Sequence, residues 1–357
     1  MALSESPASA PGAPPADHRF HSLRISGVVR ETVDARSFGV EVPAGLRSTF
    51  AYEAGQFCTF RVWVDGQPHV RCYSMSSSPA VDTGLRVTVK RTPDGVVSNW
   101  INDHLSPGDV IDVARPTGLF RLAGEGDVVL FAAGSGITPV LSLLKTALAT
   151  TSRRARLLYA NRDLDAVIFR SELDAVQTRR GSRFTLAHRF DVDRGLVDAD
   201  AVRAFAAGAE DPEYYVCGPG PFMETVEGTL LAGGVDAGRI HIERFSLEAW
   251  RPEPEPVDAS LGTARITIDL DGRTQATDHH PGTTILQTAR EMGMEPPFSC
   301  EAGSCATCMA RLLEGTASMH VNNALTDDEV ADGWVLTCQA LPTSPLVHVA
   351  YSYEENR

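Results

Sequence analysis

Apolar and polar residues alternate in short runs over the first third of the chain. LRISGVV at 23–29, LRVTVKR at 85–91 and DVIDVA at 109–114 each read as a strand, and Gly and Pro turns separate them. Little helical periodicity intervenes, so residues 19–123 are expected to form an antiparallel β-barrel. From residue 124 the rhythm changes. VVLFAAG is a continuous apolar run of the kind a strand buried on both faces shows. TPVLSLLKTALA follows with helical spacing, and RLLYANR, SELDAVQTRR, RFTLAHRF, DADAVRAFA and EYYVCG continue the alternation of strand and helix. Residues 124–246 are therefore expected to form an α/β unit with a doubly wound parallel sheet. WRPEPEPVDAS at 250–260 suits neither a helix nor a central strand, and 247–262 is expected to be an extended, flexible linker. Beyond it, ARITIDL and TQATD flank Asp271-Gly272, a hairpin signal. A helix is expected over 283–292, Thr326 to Glu329 form a capping box, and LVHVAY closes the pattern as a strand. Residues 263–357 thus read as a small α+β domain.

Composition narrows the function. Basic residues number 32 and acidic residues 46, a net charge of −14, which disfavours binding to nucleic acid or to an anionic membrane. The longest purely apolar stretch runs from Val128 to Ala133, far short of the roughly 20 residues a membrane-spanning helix needs. Residues 1–18 are rich in Ala, Pro and Ser and lack the basic start and apolar core of a signal peptide; a disordered leader and a cytoplasmic, monomeric protein are expected. The charge is uneven: residues 261–357 hold five Arg, no Lys and thirteen acidic residues. Only two lysines occur in the chain, Lys90 and Lys145.

That acidic end also holds four of the seven cysteines. Cys300-x4-Cys305-x2-Cys308, followed by 29 residues and then Cys338, has the spacing of plant-type [2Fe–2S] ferredoxins. Two irons bridged by two sulfides need four thiolates, three from one tight loop and one from a distant strand. Gly303 and the small Ala302, Ser304, Ala306 and Thr307 let that loop bring its N–H groups to the sulfurs, which helps set the potential. A structural zinc site also takes four cysteines, but it more often shows two C-x2-C pairs, and only one occurs here.

Three motifs precede it. Arg71-Cys-Tyr-Ser74 ends an apparent strand, and Gly95-Val-Val-Ser98 could offer N–H groups to a pyrophosphate with Arg71 as ionic partner. Tyr73 offers a flat face to an aromatic ring and Ser74 a hydroxyl to a ring heteroatom; surface and packing roles are the plainer alternative. Ala133-Gly-Ser-Gly-Ile-Thr-Pro139 carries a strand into a helix N-terminus, a phosphate site in principle, although Pro139 replaces the third glycine of G-x-G-x-x-G. Val216-Cys-Gly-Pro-Gly-Pro-Phe222 ends a later strand, where a doubly wound sheet binds its ligand; Cys217 would suit a nicotinamide pocket or simply the core.

In this order the motifs resemble the NADH-dependent, ferredoxin-reductase-type electron-transfer components of oxygenases. VTVKRTPDGVVSNW, AAGSGITP, YANRDLDAVIF, CGPGPFM and NNALTDDEVADGWVLTCQ carry the resemblance, which covers about residues 20–353. Within the family these stretches are most similar to the reductases of 3-ketosteroid 9α-hydroxylases and less so to phenylacetyl-CoA oxygenase reductases. The resemblance implies a β-grasp ferredoxin domain at the C-terminus. It implies FAD on Arg71, Cys72, Tyr73 and Ser74, with Val89, Lys90, Gly95, Val97 and Ser98 along its ADP half. It implies NADH, in preference to NADPH, over Gly134, Ser135, Gly136, Thr138, Asn161 and Arg162. Cys217, Gly218, Pro219 and Phe222 would lie near the nicotinamide and Phe245 near the flavin. Tyr73, Ser74 and Cys217 would act at the reacting rings, and Cys300, Cys305, Cys308 and Cys338 would hold the cluster. Arg162 would favour a 2′-phosphate while Asp163 would repel one. Alternatives are an FMN-dependent phthalate-dioxygenase-type reductase, an NADPH-dependent reductase of a diiron monooxygenase or desaturase, and a zinc-stabilised binding protein.

Nicotinamide gives up two electrons as one hydride, whereas an iron–sulfur cluster takes one, so a flavin must stand between them. That logic orders the chain: NADH, FAD, [2Fe–2S], then a terminal oxygenase as partner. Class potentials of about −400 mV for plant-type clusters and about −150 mV or above for Rieske centres make the last step downhill by roughly four decades. The acidic tail is expected to meet a basic face of that partner.

Overall fold

The computed structural model describes residues 20–245, 264–270, 272–298, 300–301, 303, 305–322 and 324–351. The expected leader and linker lie outside the described residues.

The first unit comprises β1 (Phe20–Arg30), β2 (Ala35–Glu41), β3 (Phe57–Val64), β4 (Gln67–Ser74), β5 (Leu85–Lys90), helix α1 (Val96–His104) and β6 (Val110–Ala114). Alternate residues such as Leu23, Ile25, Phe38, Val40, Phe60, Val62, Val87 and Val89 turn inward to one core. The six strands pair antiparallel in the order β4-β3-β6-β1-β2-β5. A bridge between Met75 and Val87 joins the two ends, so the sheet curls into the expected barrel. Helix α1 departs from the all-strand expectation. Its signal is present but short: Val97, Ile101 and Leu105 recur every fourth residue and are buried in the barrel core.

The second unit comprises β7 (Val128–Ala133), α2 (Ile137–Thr150), β8 (Ala155–Asn161), α3 (Arg170–Arg180), β9 (Phe184–Phe190), α4 (Asp191–Arg194), α5 (Ala199–Ala206), β10 (Glu213–Cys217), α6 (Gly220–Ala232) and β11 (Ile240–Glu243). Its sheet runs β11-β10-β7-β8-β9, every pair parallel. All six residues of β7 are buried, as a central strand covered by helices on both faces requires. The order reverses between β7 and β10, which puts the ligand crevice at their C-terminal ends.

Helix α2 also fastens this unit to the barrel. Ser142 Oγ donates to the Ser77 carbonyl at 2.6 Å, and Ser78 and Thr146 hydroxyls meet at 2.6 Å. Phe120 packs edge-on to Tyr215 at 5.7 Å and shares the core of the second unit. Lys145, with its side chain 6% exposed, binds Asp82 of the barrel at 2.6 Å and Glu172 of α3 at 2.8 Å, and Arg86 binds the other oxygen of Glu172 at 2.8 Å.

The third unit comprises β12 (Arg265–Leu270), β13 (Arg273–Asp278), α7 (Ile285–Glu291), β14 (Met309–Glu314), β15 (Ala317–Met319), α8 (Asp327–Ala331), β16 (Trp334–Leu336), β17 (Ala340–Pro342) and β18 (Leu346–Ala350). The main sheet runs β13-β12-β18-β14-β16, and β15 pairs with β17 apart from it. Ile285 and Ala289 of α7 pack on Ile266, Ile268 and Val349, one helix across a mixed sheet. Capping boxes open both helices, Thr284 with Gln287 and Thr326 with Glu329.

Removing the Lys145 charge strips Asp82 of its ion-pair partner and leaves Glu172 with Arg86 alone. Lys145→Met is expected to cost about 2 kcal/mol, below the roughly 3–5 kcal/mol for breaking a fully buried pair because both carboxylates keep some solvent and Glu172 keeps Arg86. Urea unfolding followed by flavin fluorescence checks this; an unchanged midpoint contradicts it.

Candidate functional site

Two turns meet at the switch point of the parallel sheet. After β7 the chain passes Gly134, at φ +53°, and turns through Gly136 into α2. A Cβ on Gly136 would collide with the carbonyl of Cys217, the last residue of β10. A Cβ on Gly218 would lie 2.9 Å from that of Ala133 and 2.8 Å from the Phe222 ring. Both positions must be glycine for the turns to seat on each other. Tyr159 Oη donates to the Gly134 carbonyl at 3.0 Å, and Thr138 Oγ1 to that of Ser135 at 3.0 Å. At the N-terminus of α2 the Ile137 N–H is spent on the Gly134 and Ser135 carbonyls and Pro139 has none, which leaves the Thr138 N–H as the first main-chain donor without an intrahelical acceptor. Pro219 and Phe222 start α6 on the opposite lip.

Three side chains give this crevice its chemistry. The Asn161 carboxamide, at the end of β8, is buried, and neither of its polar atoms has a hydrogen-bond partner. A buried amide left open beside a glycine turn fits a nucleotide's polar groups. Lys90, from the barrel, brings Nζ to 3.8 Å from where a Cβ of Gly134 would stand, and to 3.7 Å from Asp34. Lys90, expected only along a flavin, therefore overhangs the nucleotide turn as well. Glu243 is paired in register with Cys217 on β11. It keeps part of its surface open, yet burial of the carboxyl pushes its pKa up to about 8. Burial first, and this neighbouring carboxylate second, push the Cys217 thiol up, so it stays protonated. Nothing in the sequence singled out Glu243; only the parallel pairing of β11 with β10 sets it beside Cys217. Phe245 stands two residues beyond it, 46% exposed. Arg162 Nε donates to Asp163 at 2.8 Å, while Asp163 caps the following turn by accepting from the Ala166 N–H at 3.0 Å.

On the barrel, the β3–β4 register sets Ser74 opposite Phe57, Tyr73 opposite Cys58, Cys72 opposite Thr59 and Arg71 opposite Phe60. Arg71 and Tyr73 therefore share one face of β4, and Cys72 and Ser74 the other. Tyr73 packs edge-on to Phe60 at 5.7 Å, and burial raises its hydroxyl above the ordinary range. Gly95 is the N-cap of α1, so the N–H groups of Val96, Val97 and Ser98 have no acceptor within the helix. Ser98 Oγ is already used: it accepts from the Thr92 N–H at 3.1 Å. The Val89 and Val97 side chains lie in the barrel core, so only their main chain can reach a ligand.

In the third unit the four thiols form two pairs. Cys300 bonds Cys305, whose sulfur also accepts from the Cys300 N–H at 3.4 Å, and Cys308 bonds Cys338. These bonds hold Cys305 and Cys338 below the ordinary thiol range. Among the described residues no three His, Cys, Asp or Glu side chains converge on one ion position. Two thiol pairs suit two irons, two ligands each, whereas zinc asks all four to meet at one centre. The loop is tightly held. A Cβ on Gly303 would lie 2.5 Å from the Val321 carbonyl, and Glu301 and Ala306 take positive φ of +48° and +54°. Arg290 grips the Glu301 carboxylate with both arms, at 3.0 and 2.9 Å, and lies 3.9 Å over the Phe298 ring. Gln339 donates to the Glu301 carbonyl at 2.7 Å.

A curled barrel, a parallel dinucleotide-type sheet with two interlocking glycine turns, and a three-cysteine loop joined by Cys338 define a flavin- and nicotinamide-dependent oxidoreductase that carries its own [2Fe–2S] domain. Comparison with known proteins agrees. An oxidoreductase FAD-binding domain matches residues 22–122, an oxidoreductase NAD-binding domain 130–228 and a 2Fe-2S iron-sulfur cluster binding domain 268–343. The ferredoxin reductase component of 3-ketosteroid-9-alpha-monooxygenase from Rhodococcus rhodochrous is 39% identical over 92% of this chain and 96% of that protein. One component of the 1,2-phenylacetyl-CoA epoxidase of Escherichia coli is 32% identical over 92% of this chain and 97% of its own length. The solved phthalate dioxygenase reductase aligns with a TM-score of 0.58 at 25% identity, covering 94% of this chain and 98% of that one. The chain belongs to this family of three-domain reductase components, which move electrons from nicotinamide nucleotide through FAD to [2Fe–2S].

Glu243 generates a pH prediction. Its folded pKa lies above the unfolded value near 4.5, so between about pH 5 and 8 the folded state holds the extra proton and stability falls as pH rises. Glu243→Gln is expected to flatten this slope and to gain of the order of 2 kcal/mol over the parent at pH 9. Denaturant unfolding at pH 6 and pH 9 checks it; parallel pH profiles contradict it.

Proposed function

We propose that this protein is an NADH-specific FAD reductase that delivers electrons singly to a terminal Rieske-type oxygenase, one acting on a 3-ketosteroid. The juxtaposition of Lys90 with Gly134, and of Gly136 with the Cys217 main chain and its register partner Glu243, carries the reading. It sets the nucleotide turn, the candidate nicotinamide residues and the barrel side by side. The names of the relatives supply the substrate class of the partner.

The residues divide the work. Arg71 and the open N–H groups of α1 would hold the flavin's pyrophosphate, and Tyr73 and Ser74 its ring. The α2 N-terminus, Ser135, Thr138 and Asn161 would hold the nucleotide. Cys217 stays a neutral, polarisable thiol, and Glu243 can keep a proton near neutral pH, so no fixed negative charge stands where a hydride leaves. Bound FAD supplies the exchange between two-electron and one-electron chemistry. Cys300 and Cys305 would hold one iron, Cys308 and Cys338 the other. The exposed Asp327, Asp328 and Asp332 offer an acidic surface to a basic partner face.

The NADH preference rests on the Arg162–Asp163 pair. Asp163 neutralises the nearest cation and is itself fixed as a turn cap, so a 2′-phosphate would meet a carboxylate. In anaerobic titration NADH is expected to bleach the flavin and cluster bands at stoichiometric amounts, with NADPH at least about tenfold weaker. Asp163→Ser is expected to narrow that gap by improving kcat/KM for NADPH. Equal response of the parent to both nucleotides contradicts the reading.

A further inference from the structure

The closing strand of the third unit sends a buried hydrogen-bond chain to one of the four cysteines. Tyr351, just past β18, is 3% exposed, and its Oη donates to Thr337 Oγ1 at 2.9 Å. Thr337, wholly buried next to Cys338, passes its own hydroxyl proton to the carbonyl of Cys308 at 2.7 Å. The Thr337 N–H donates to the same carbonyl at 3.2 Å, so both lone pairs of that oxygen are engaged. The direction is fixed: a carbonyl only accepts, so the Thr337 proton points at Cys308 and the Thr337 oxygen accepts from Tyr351. Each donation polarises the next, and the low dielectric of the core strengthens both. The main chain holds the relay at both ends. The Tyr351 N–H donates to the Asp269 carbonyl of β12 at 2.9 Å, and the Leu286 N–H of α7 donates to the Thr337 carbonyl at 2.9 Å.

We infer that Tyr351 and Thr337 tune the cluster from behind one of its ligands: by drawing charge off the Cys308 carbonyl they raise the cluster's potential. The inference rests on the [2Fe–2S] reading of the four cysteines. A bare carbonyl oxygen on a ligand residue carries partial negative charge, which disfavours adding an electron to the cluster, and the donors offset it. The cluster then takes an electron from the reduced flavin more readily. Neither side chain is a ligand; both are positioning residues that act through Cys308. Tyr351 reaches Thr337 only when β18 lies between β12 and β14, so the tuning is complete only in the finished sheet. Tyr351 also packs in the core of this unit, and a purely structural role would change stability while leaving the potential where it was.

The test is the cluster's midpoint potential in the full-length holoprotein, by redox titration followed by electron paramagnetic resonance. Thr337→Val, which keeps the shape and removes the hydroxyl, is expected to lower the equilibrium constant for flavin-to-cluster transfer about fivefold, or about 40 mV at 59 mV per decade. Thr337→Ser, which keeps the donor, is expected to retain most of the parent value. Tyr351→Phe is expected to lower the same constant about threefold, or about 30 mV, with no further fall when combined with Thr337→Val, since Tyr351 acts through that hydroxyl. A Tyr351→Phe potential equal to the parent's overturns the inference whatever its effect on unfolding, as does a fall that adds to that of Thr337→Val. Where Thr337→Val fails to assemble a cluster, the Tyr351→Phe potential decides alone. The parent's cluster signal reports on the [2Fe–2S] reading itself, and the differences between variants report on the relay.

Discussion

The seating of the Gly136 turn on the main chain of Cys217 is the constraint on which the rest depends. With any side chain at Gly136 the strand ends of β7 and β10 could not close on each other. Because they do, the N-terminus of α2 stands against the end of β10, where Cys217 is wholly buried in the core and pairs in register with Glu243 of β11. The barrel completes the crevice by reaching Lys90 over Gly134. The two halves of the crevice are held in place by α2, whose buried face belongs to one unit and whose Ser142, Lys145 and Thr146 grip the other.

Charge is used twice in different ways. At the crevice it is suppressed: Glu243 tends to keep its proton and Cys217 keeps its own. At the domain boundaries it is paired: Lys145 with Asp82 and Glu172, Arg115 with Glu329. The first pairing is largely buried and fixes two units; the second is exposed and fastens the third unit weakly. That contrast suits a protein in which hydride transfer needs a fixed geometry and delivery of single electrons needs a part that can meet a partner.

Much of this was legible in the chain itself, for physical reasons. Strand alternation, the buried run of β7 and the cysteine spacing each reflect local geometry that repeats wherever such elements form. Glycine turns are legible because no other residue fits them. What escaped were contacts between residues far apart in sequence. Glu243 is one carboxylate in an ordinary strand until β11 pairs with β10. Lys145 looks like a surface lysine on a helix until Asp82 and Glu172 enclose it. Helix α1 was missed because its three core positions lie inside a segment dominated by strand alternation.

The central claim is an order of events: nucleotide to flavin to cluster within one chain. Anaerobic stopped-flow mixing with NADH, followed at flavin and cluster wavelengths, tests it most directly. The account predicts that flavin bleaching comes first and cluster bleaching follows, and that Cys338→Ala keeps the first phase and loses the second. Cluster bleaching that precedes or bypasses the flavin would contradict it.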